Sequence, residues 1–406
     1  MRKKHYKSIV LAAALTISML IVSGCYAGNA NSSPGSQTLQ PAERDRLNQY
    51  TTLLSAEYTQ DAKTLSTFSD NDREFAERQV DPLRKGYIDY GMPIKKAQIT
   101  YKVESVKRTA NTTFVRSLFT TTIDYLDSPS ASPNDIQQSL SDDLHEIQIP
   151  RFATKNDNID ILDDNLLPES DDSSSENPTD NNLDKDSPLS TDINKAGSAL
   201  SQELNRMAGA DWNFPVVQAS KYAKNWTTGQ HYGDTKDKFN PKYPYYKNNC
   251  ANFISQILYD NEGGQVKRNV SLWDYKNDNA WGYYGFGKAT YTWGGAANNY
   301  RYMRYYSGLY NPQRPALTAY DLPQGSLLYG DWDSDASINH VAYINRAVRT
   351  GFNPNGAMIF MPHITQKSTC RYDVPLSEYF IIAKKEHKKI TWYGLSTGYH
   401  CTYQCK

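Results

Sequence analysis

The segment Asn248-Asn249-Cys250-Ala251-Asn252-Phe253-Ile254-Ser255-Gln256-Ile257-Leu258-Tyr259 puts a cysteine at the start of an amphipathic helix. Phe253, Ile254, Ile257 and Leu258 recur at helical spacing, Asn248 or Asn249 is a natural N-cap, and Gly263-Gly264 supplies a stop. In a first turn, unpaired backbone N–H groups and the positive end of the helix dipole favour thiolate over thiol, which makes Cys250 a candidate nucleophile. A small buried residue packed beneath the helix suits the same position, and position alone does not choose between the two. A thiolate nucleophile needs an imidazole partner, usually oriented by a third polar group, brought close by the fold and not by the sequence. Two histidines qualify. His340 opens the alternating run Ile338-Asn339-His340-Val341-Ala342-Tyr343-Ile344, and His363 closes the run Met358-Ile359-Phe360-Met361-Pro362-His363. Both runs read as strands.

The elements around these residues belong to a chain of 406 residues with 44 basic and 44 acidic side chains, long enough for more than one domain. Zero formal net charge gives no global field to draw nucleic acid, and a hydrophobic fraction of 39% leaves no room for several membrane spans. Residues 41–162 read as an N-terminal α+β module. Leu47, Tyr50, Leu53 and Leu54 mark a first helix, and a second runs through Phe75 and Leu83. Alternating runs over residues 99–103, 113–125 and 145–149 then predict a small antiparallel sheet. Residues 163–192 are rich in Asp, Ser, Asn and Pro and read as a linker; they lack the regular oxygen-ligand spacing and turn glycine of a calcium loop. The chemistry is therefore expected in residues 193–406. There an aromatic, glycine-rich insert carries Trp273, Trp281 and Trp293, which suit either a groove stacking on glycan or peptide or packing over a sheet.

At the N-terminus a basic stretch, Met1 to Ser8, precedes an apolar run from Ile9 to Val22 that is short for a bilayer span. Val22-Ser23-Gly24-Cys25 follows and resembles the lipobox of bacterial lipoproteins. That resemblance implies removal of residues 1–24, acylation of Cys25, a tether over residues 25–40, and work outside the cytoplasmic membrane, held to it by two acyl chains. In that oxidising setting a disulfide among Cys370, Cys401 and Cys405 is open, though three cysteines cannot all pair.

The stretch from about Phe214 to Phe380 resembles the bacterial putative amidase domain family, a branch of the NlpC-type, papain-like cysteine peptidases. The matching residues are Ala219-Ser220-Lys221-Tyr222-Ala223-Lys224-Asn225-Trp226, Asn240-Pro241-Lys242-Tyr243-Pro244, Asn249-Cys250-Ala251-Asn252-Phe253-Ile254-Ser255-Gln256, His340-Val341-Ala342 and His363. The resemblance implies an α+β fold with the nucleophile at a helix N-terminus packed on an antiparallel sheet. It also implies the roles of Cys250 as nucleophile, His340 as base and His363 as the group that orients it, with Asn339 or Asp331 as alternative orienters. Asn249 stands where that family commonly has Asp, and Gly325-Ser326 where related peptidases often have Gly-Asp.

The chemistry implied is attack of Cys250 on an amide carbonyl and hydrolysis of the resulting thioester, with the Cys250 N–H and a second donor, Gln230 or His231, at the oxyanion. Cell-wall peptides are the expected substrate, with no cofactor and a monomeric chain. An inactive scaffold holding cell-wall glycan or peptide is the competing class, and acyl transfer to an amine would use the same thioester. Other motifs do not hold. Gly394-Leu395-Ser396-Thr397-Gly398 matches a nucleophile elbow, but only His400 and no carboxylate follows it. A zinc site on Cys250, His340 and His363 is chemically admissible, but catalysis already explains the thiol.

Overall fold

Gln40 opens the first helix, its backbone N–H donating to the Glu43 carboxylate at 2.8 Å, and Pro41 supplies a pre-set φ for the first turn. Helix α1 (Pro41–Thr59) buries Leu47, Tyr50, Leu53 and Leu54, the stripe expected from their spacing. The short helix α2 (Ala62–Leu65) leads to α3 (Asp70–Ile88), whose N-cap Ser69 accepts the Asp72 N–H at 3.2 Å. This computed structural model describes residues 38–151, 159–167, 215–228, 239–246, 248–266, 276–285, 288–309, 319–352, 358–387 and 389–396.

Three long strands follow: β1 (Ile94–Arg108), β2 (Thr112–Leu126) and β3 (Ile136–Pro150). Strand β4 (Asp163–Leu167) pairs with β3, so the first residues expected to be linker belong to the sheet. Next come α4 (Val216–Thr227), α5 (Cys250–Tyr259), the small hairpin β5 (Tyr283–Gly285) and β6 (Lys288–Ala289), α6 (Tyr291–Gly294) and α7 (Ala296–Tyr305). The chain closes with β7 (Leu327–Asp331), β8 (His340–Phe352), β9 (Met358–Gln366), β10 (Arg371–Pro375), α8 (Leu376–Glu386) and β11 (Thr391–Leu395).

The fold is α+β, built on a nine-stranded antiparallel sheet ordered β1-β2-β3-β10-β9-β8-β7-β11, with β4 beside β3. The sheet crosses the boundary expected between two modules. Arg371 and Tyr372 of β10 pair with Ser141 and Leu140 of β3, and the Asp142 N–H donates to the Cys370 carbonyl at 2.9 Å. An edge strand carries unpaired backbone groups that must find partners, and here the C-terminal strands supply them. Buried and half-buried side chains bind the seam further. Arg346 on β8 meets Asp127 at 2.8 Å and Asp373 at 2.6 Å, and the Tyr125 hydroxyl donates to Asp373 at 2.7 Å.

Side chains alternate across β8 as period two requires. Ala342 and Ile344 join Leu47, Val80, Tyr87, Val115, Ile123 and Ile364 in one core, beneath α1, α3 and α8. Val341 and Tyr343 join Tyr222, Phe253, Ile254, Ile257, Trp281 and Trp293 in a second, beneath α4, α5 and α7. Each fully buried Leu, Ile or Phe contributes roughly 1.5–3 kcal/mol, so the strands of the C-terminal part are stabilised from both faces. No helix among the described residues is long and apolar enough to cross a membrane. The lipobox with Cys25, and Cys401 and Cys405, lie outside the described residues. Cys370 is buried, with its Sγ 3.7 Å from the Thr227 carbonyl oxygen.

Candidate active site

Cys250 is the first residue of α5, as its spacing predicts, and is 5% exposed. Asn249 is the N-cap residue by position, at φ −110° and ψ 1°, but its side chain does not cap the helix backbone. The helix runs to Tyr259, ahead of the two glycines. Gly263 sits so close to the helix end that a Cβ would lie 2.5 Å from the Ile257 carbonyl oxygen, and the Gly264 N–H closes on that oxygen at 2.7 Å.

Helix α5 is held by polar ties from each neighbouring element. The Tyr222 hydroxyl of α4 donates to Gln256 Oε1 at 3.2 Å and accepts from Asn240 Nδ2 at 2.9 Å. Trp281 Nε1 donates to Ser255 Oγ at 3.0 Å, and Ser255 Oγ donates to the Trp293 carbonyl at 2.9 Å. These bonds explain why tyrosine, asparagine, serine and glutamine recur in the segments that flank the cysteine. They also correct the aromatic groove. Trp281 and Trp293 are fully buried, stacked on each other at 5.2 Å, and serve the core under α5 instead of a surface that a sugar could reach. Trp273 lies outside the described residues, as do Gln230 and His231.

The thiol points to the start of β8: Cys250 Sγ is 4.0 Å from the carbonyl oxygen of Asn339, the residue before His340. His340 is buried, and its Nε2 is 2.8 Å from Gln366 Oε1 at the end of β9. Gln366 Nε2 donates to the Thr369 carbonyl at 3.3 Å, which fixes the amide so that its oxygen faces the imidazole. The Gln366 oxygen can only accept, so the imidazole carries its proton on Nε2 and its lone pair on Nδ1. The indole of Trp332 lies against the same imidazole, with ring centroids 5.0 Å apart, and stacks on His387 at 4.3 Å. Asn339 Oδ1 accepts the Trp332 backbone N–H at 2.9 Å, which ties the main chain of Trp332 to the residue that touches the thiol.

His363 does not occupy the orienting place expected for it. It pairs across the ladder with Arg346, six residues along β8 from His340, a separation of roughly 20 Å at 3.3 Å per residue. Its Nδ1 bonds the Tyr125 hydroxyl at 3.1 Å and the Asp373 carbonyl at 3.0 Å, in the seam between the two halves of the sheet. Burial, reinforced by the Arg346 guanidinium, pushes its pKa down to about 4, so the ring is neutral at pH 7. The alternative orienters are also spent elsewhere. Asp331 accepts the Asp335 and Ala336 N–H groups at 3.2 and 3.0 Å and shapes the turn before β8. The residue that meets the imidazole is Gln366, which sequence reasoning missed.

Cys250, His340 and His363 form no metal-ligand set at that separation. Among the described residues, Asp331, Asp333 and Asp335 bring carboxylate oxygens within 4.8 Å of one another, on a turn where two of the three are exposed.

Comparison with known proteins agrees with this region as the chemical part of the chain. Residues 215–393 match the model of the family described as a Putative amidase domain, which points to hydrolysis of amide bonds. The match covers less than half of the chain and takes in α4 through most of β11. No curated protein matches the chain, and no solved structure does.

Proposed function

We propose that the protein is a cysteine amidase with a papain-like, NlpC-type mechanism, and that it acts outside the cytoplasmic membrane on amide bonds of cell-wall peptides, anchored by a lipid on Cys25. The observation that carries the mechanism is a helix N-terminal thiol at the start of the strand that bears a buried imidazole: Cys250 Sγ lies 4.0 Å from the carbonyl oxygen of Asn339, and the next residue, His340, is held through Nε2 by Gln366. With Nε2–H committed to Gln366, Nδ1 takes the thiol proton. The dipole of α5 stabilises the thiolate, and Gln366 Oε1 and the face of Trp332 stabilise the imidazolium. The thiolate attacks the amide carbonyl, the imidazolium protonates the leaving amine, and water, deprotonated by the imidazole, releases the acid from the thioester.

The amidase family match over residues 215–393 supports the reaction class. The location and the cell-wall substrate rest on the lipobox-like sequence ending in Cys25. An inactive binding scaffold loses part of its basis, because Trp281 and Trp293 are buried.

The test is iodoacetamide labelling at pH 6–7 followed by peptide mapping, then incubation with purified muropeptides. Selective alkylation of Cys250, slowed by His340→Ala, together with new amino groups released from muropeptides, is the expected result. A Cys250 that labels only after unfolding removes the catalytic reading. Alkylation without muropeptide cleavage keeps the chemistry and removes the substrate.

A further inference from the structure

Beside the nucleophile a short relay of side chains fixes the orientation of an amide with a purpose not yet assigned. The indole N–H of Trp293 can only donate, and it lies 2.6 Å from Asn252 Oδ1. The Pro244 carbonyl can only accept, and it lies 2.8 Å from Asn252 Nδ2. Asn252 is therefore set from both ends. Its second Nδ2 hydrogen goes to Asn249 Oδ1 at 2.7 Å, and this sets Asn249 in turn, oxygen toward Asn252 and NH2 at the opposite end. That Nδ2 is buried and has no hydrogen-bond partner, although Asn249 is only 1% exposed. Native interiors rarely leave a buried donor unmet, so one that remains calls for an explanation.

The main chain of Asn249 is equally fixed. Its backbone N–H donates to Ser368 Oγ at 2.9 Å, and its φ and ψ fall outside the helical region, one residue before Cys250. The N–H groups of Cys250 and Ala251, as the first helical residues, have no acceptor within the helix. Cys250 thus has a backbone donor of its own and directly follows a residue with an unpaired side-chain donor. Such a set suits an acceptor that gains negative charge during reaction, which is the oxygen of an attacked carbonyl.

We propose that the Asn249 side-chain amide is the second oxyanion donor, acting with the Cys250 backbone N–H; this rests on Cys250 being the nucleophile. The sulfur lone pair forms the S–C bond while the carbonyl π pair moves onto oxygen, where Asn249 Nδ2–H and Cys250 N–H donate to it. The pair returns as the C–N bond breaks, and the departing nitrogen takes the proton from the His340 imidazolium. Asn249 is then a catalytic residue, and Asn252 and Trp293 are positioning residues that hold its oxygen end and leave its donor end unpaired.

Two probes separate this role from others. Iodoacetamide alkylates the thiolate by displacement of iodide at a saturated carbon with no oxyanion, and p-nitrophenyl acetate acylates it through one. In the full chain, Asn249→Ala is expected to slow nitrophenolate release about 10²–10³-fold while changing alkylation of Cys250 by less than about threefold. Asn249→Asp keeps an oxygen for Asn252 and so keeps the fold. Its charge slows both reactions, but the ratio of acylation to alkylation falls at least tenfold. An unchanged ratio in either variant overturns the proposal, because Asn249 would then act on the thiol or the fold alone. If the unmutated protein is neither alkylated nor acylated at Cys250, the nucleophile assignment fails first and the two failures are told apart.

Discussion

Replacing Gln366 by leucine tests whether the imidazole is oriented from β9. Leucine is close in size, so the buried site stays filled, but His340 Nε2 loses its acceptor at 2.8 Å. A hydrogen bond to a charged group is worth about 1.5–3 kcal/mol, and at 1.36 kcal/mol per pKa unit this moves the imidazolium by about 1–2 units. The thiolate–imidazolium pair falls in population by about ten- to a hundredfold, and alkylation of Cys250 at pH 6–7 falls with it. Gln366→Glu has the opposite sign: a carboxylate at the same place stabilises the imidazolium and with it the ion pair, and alkylation extends to lower pH. His363→Ala is the control. It removes a ring stacked on Tyr125 in the seam, costing roughly 2–5 kcal/mol of stability as other large-to-small core changes do, and leaves the alkylation profile in place. Rates measured by peptide mass across pH 5–9 decide the matter. Unchanged alkylation in Gln366→Leu, or equal slowing in His363→Ala, would falsify the assignment.

A Cβ at Gly330 would lie 3.0 Å from the Trp332 ring and 3.2 Å from the Trp392 ring, so in Gly330→Ala these rings give by a few tenths of an ångström and the Trp332 contact on His340 loosens. A full cation–π contact is worth about 0.5–2 kcal/mol, or roughly 2–30-fold in rate, so acylation by p-nitrophenyl acetate falls by a part of that, with far-UV circular dichroism unchanged; a wild-type rate would show that the indole is packing alone. Glu378 on α8 is buried, and burial pushes its pKa up to about 8, with Asp143 adding to the shift and Tyr87 and Arg371 opposing it. The folded state then holds a proton that the unfolded state has released above pH 4.5, so stability falls as pH rises from about 4.5 to 8. Glu378→Gln should flatten that slope in denaturant titrations at pH 5, 6.5 and 8, and an equally steep slope would place the charge elsewhere.

The helix carrying Cys250 and the two strands carrying His340 and His363 are legible from short-range pattern, because Phe253, Ile254, Ile257 and Leu258 repeat at helical spacing and the strands alternate. Gln366 was not legible as a partner of His340, though a signal exists. In an antiparallel hairpin the start of one strand lies opposite the end of the next: Phe352 pairs with Met358 and Tyr343 with Thr365. Counting back along the ladder puts His340 near residue 368, on the diagonal from Gln366 and well past His363. Two register shifts within this ladder displace the pairing by a residue each, and those come from bulges that composition does not announce. The burial of Trp281 and Trp293 was equally hidden, since an aromatic run suits a groove or a core until the polar partners of each indole are known.

By itself the sequence determined the local elements, the place of a cysteine where helix geometry exposes N–H donors, and a likeness to amidases over about Phe214 to Phe380. These depend on periods of 3.6 and 2 and on residue types within a few positions of one another. Tertiary structure alone decided that the two halves share one sheet, that His363 serves the seam and Gln366 the imidazole, and that Asn249 keeps a buried donor unpaired. Each of these is a pairing between residues far apart in the chain, and such pairings are chosen by the register of strands and by which buried polar groups must be met, neither of which any single segment contains.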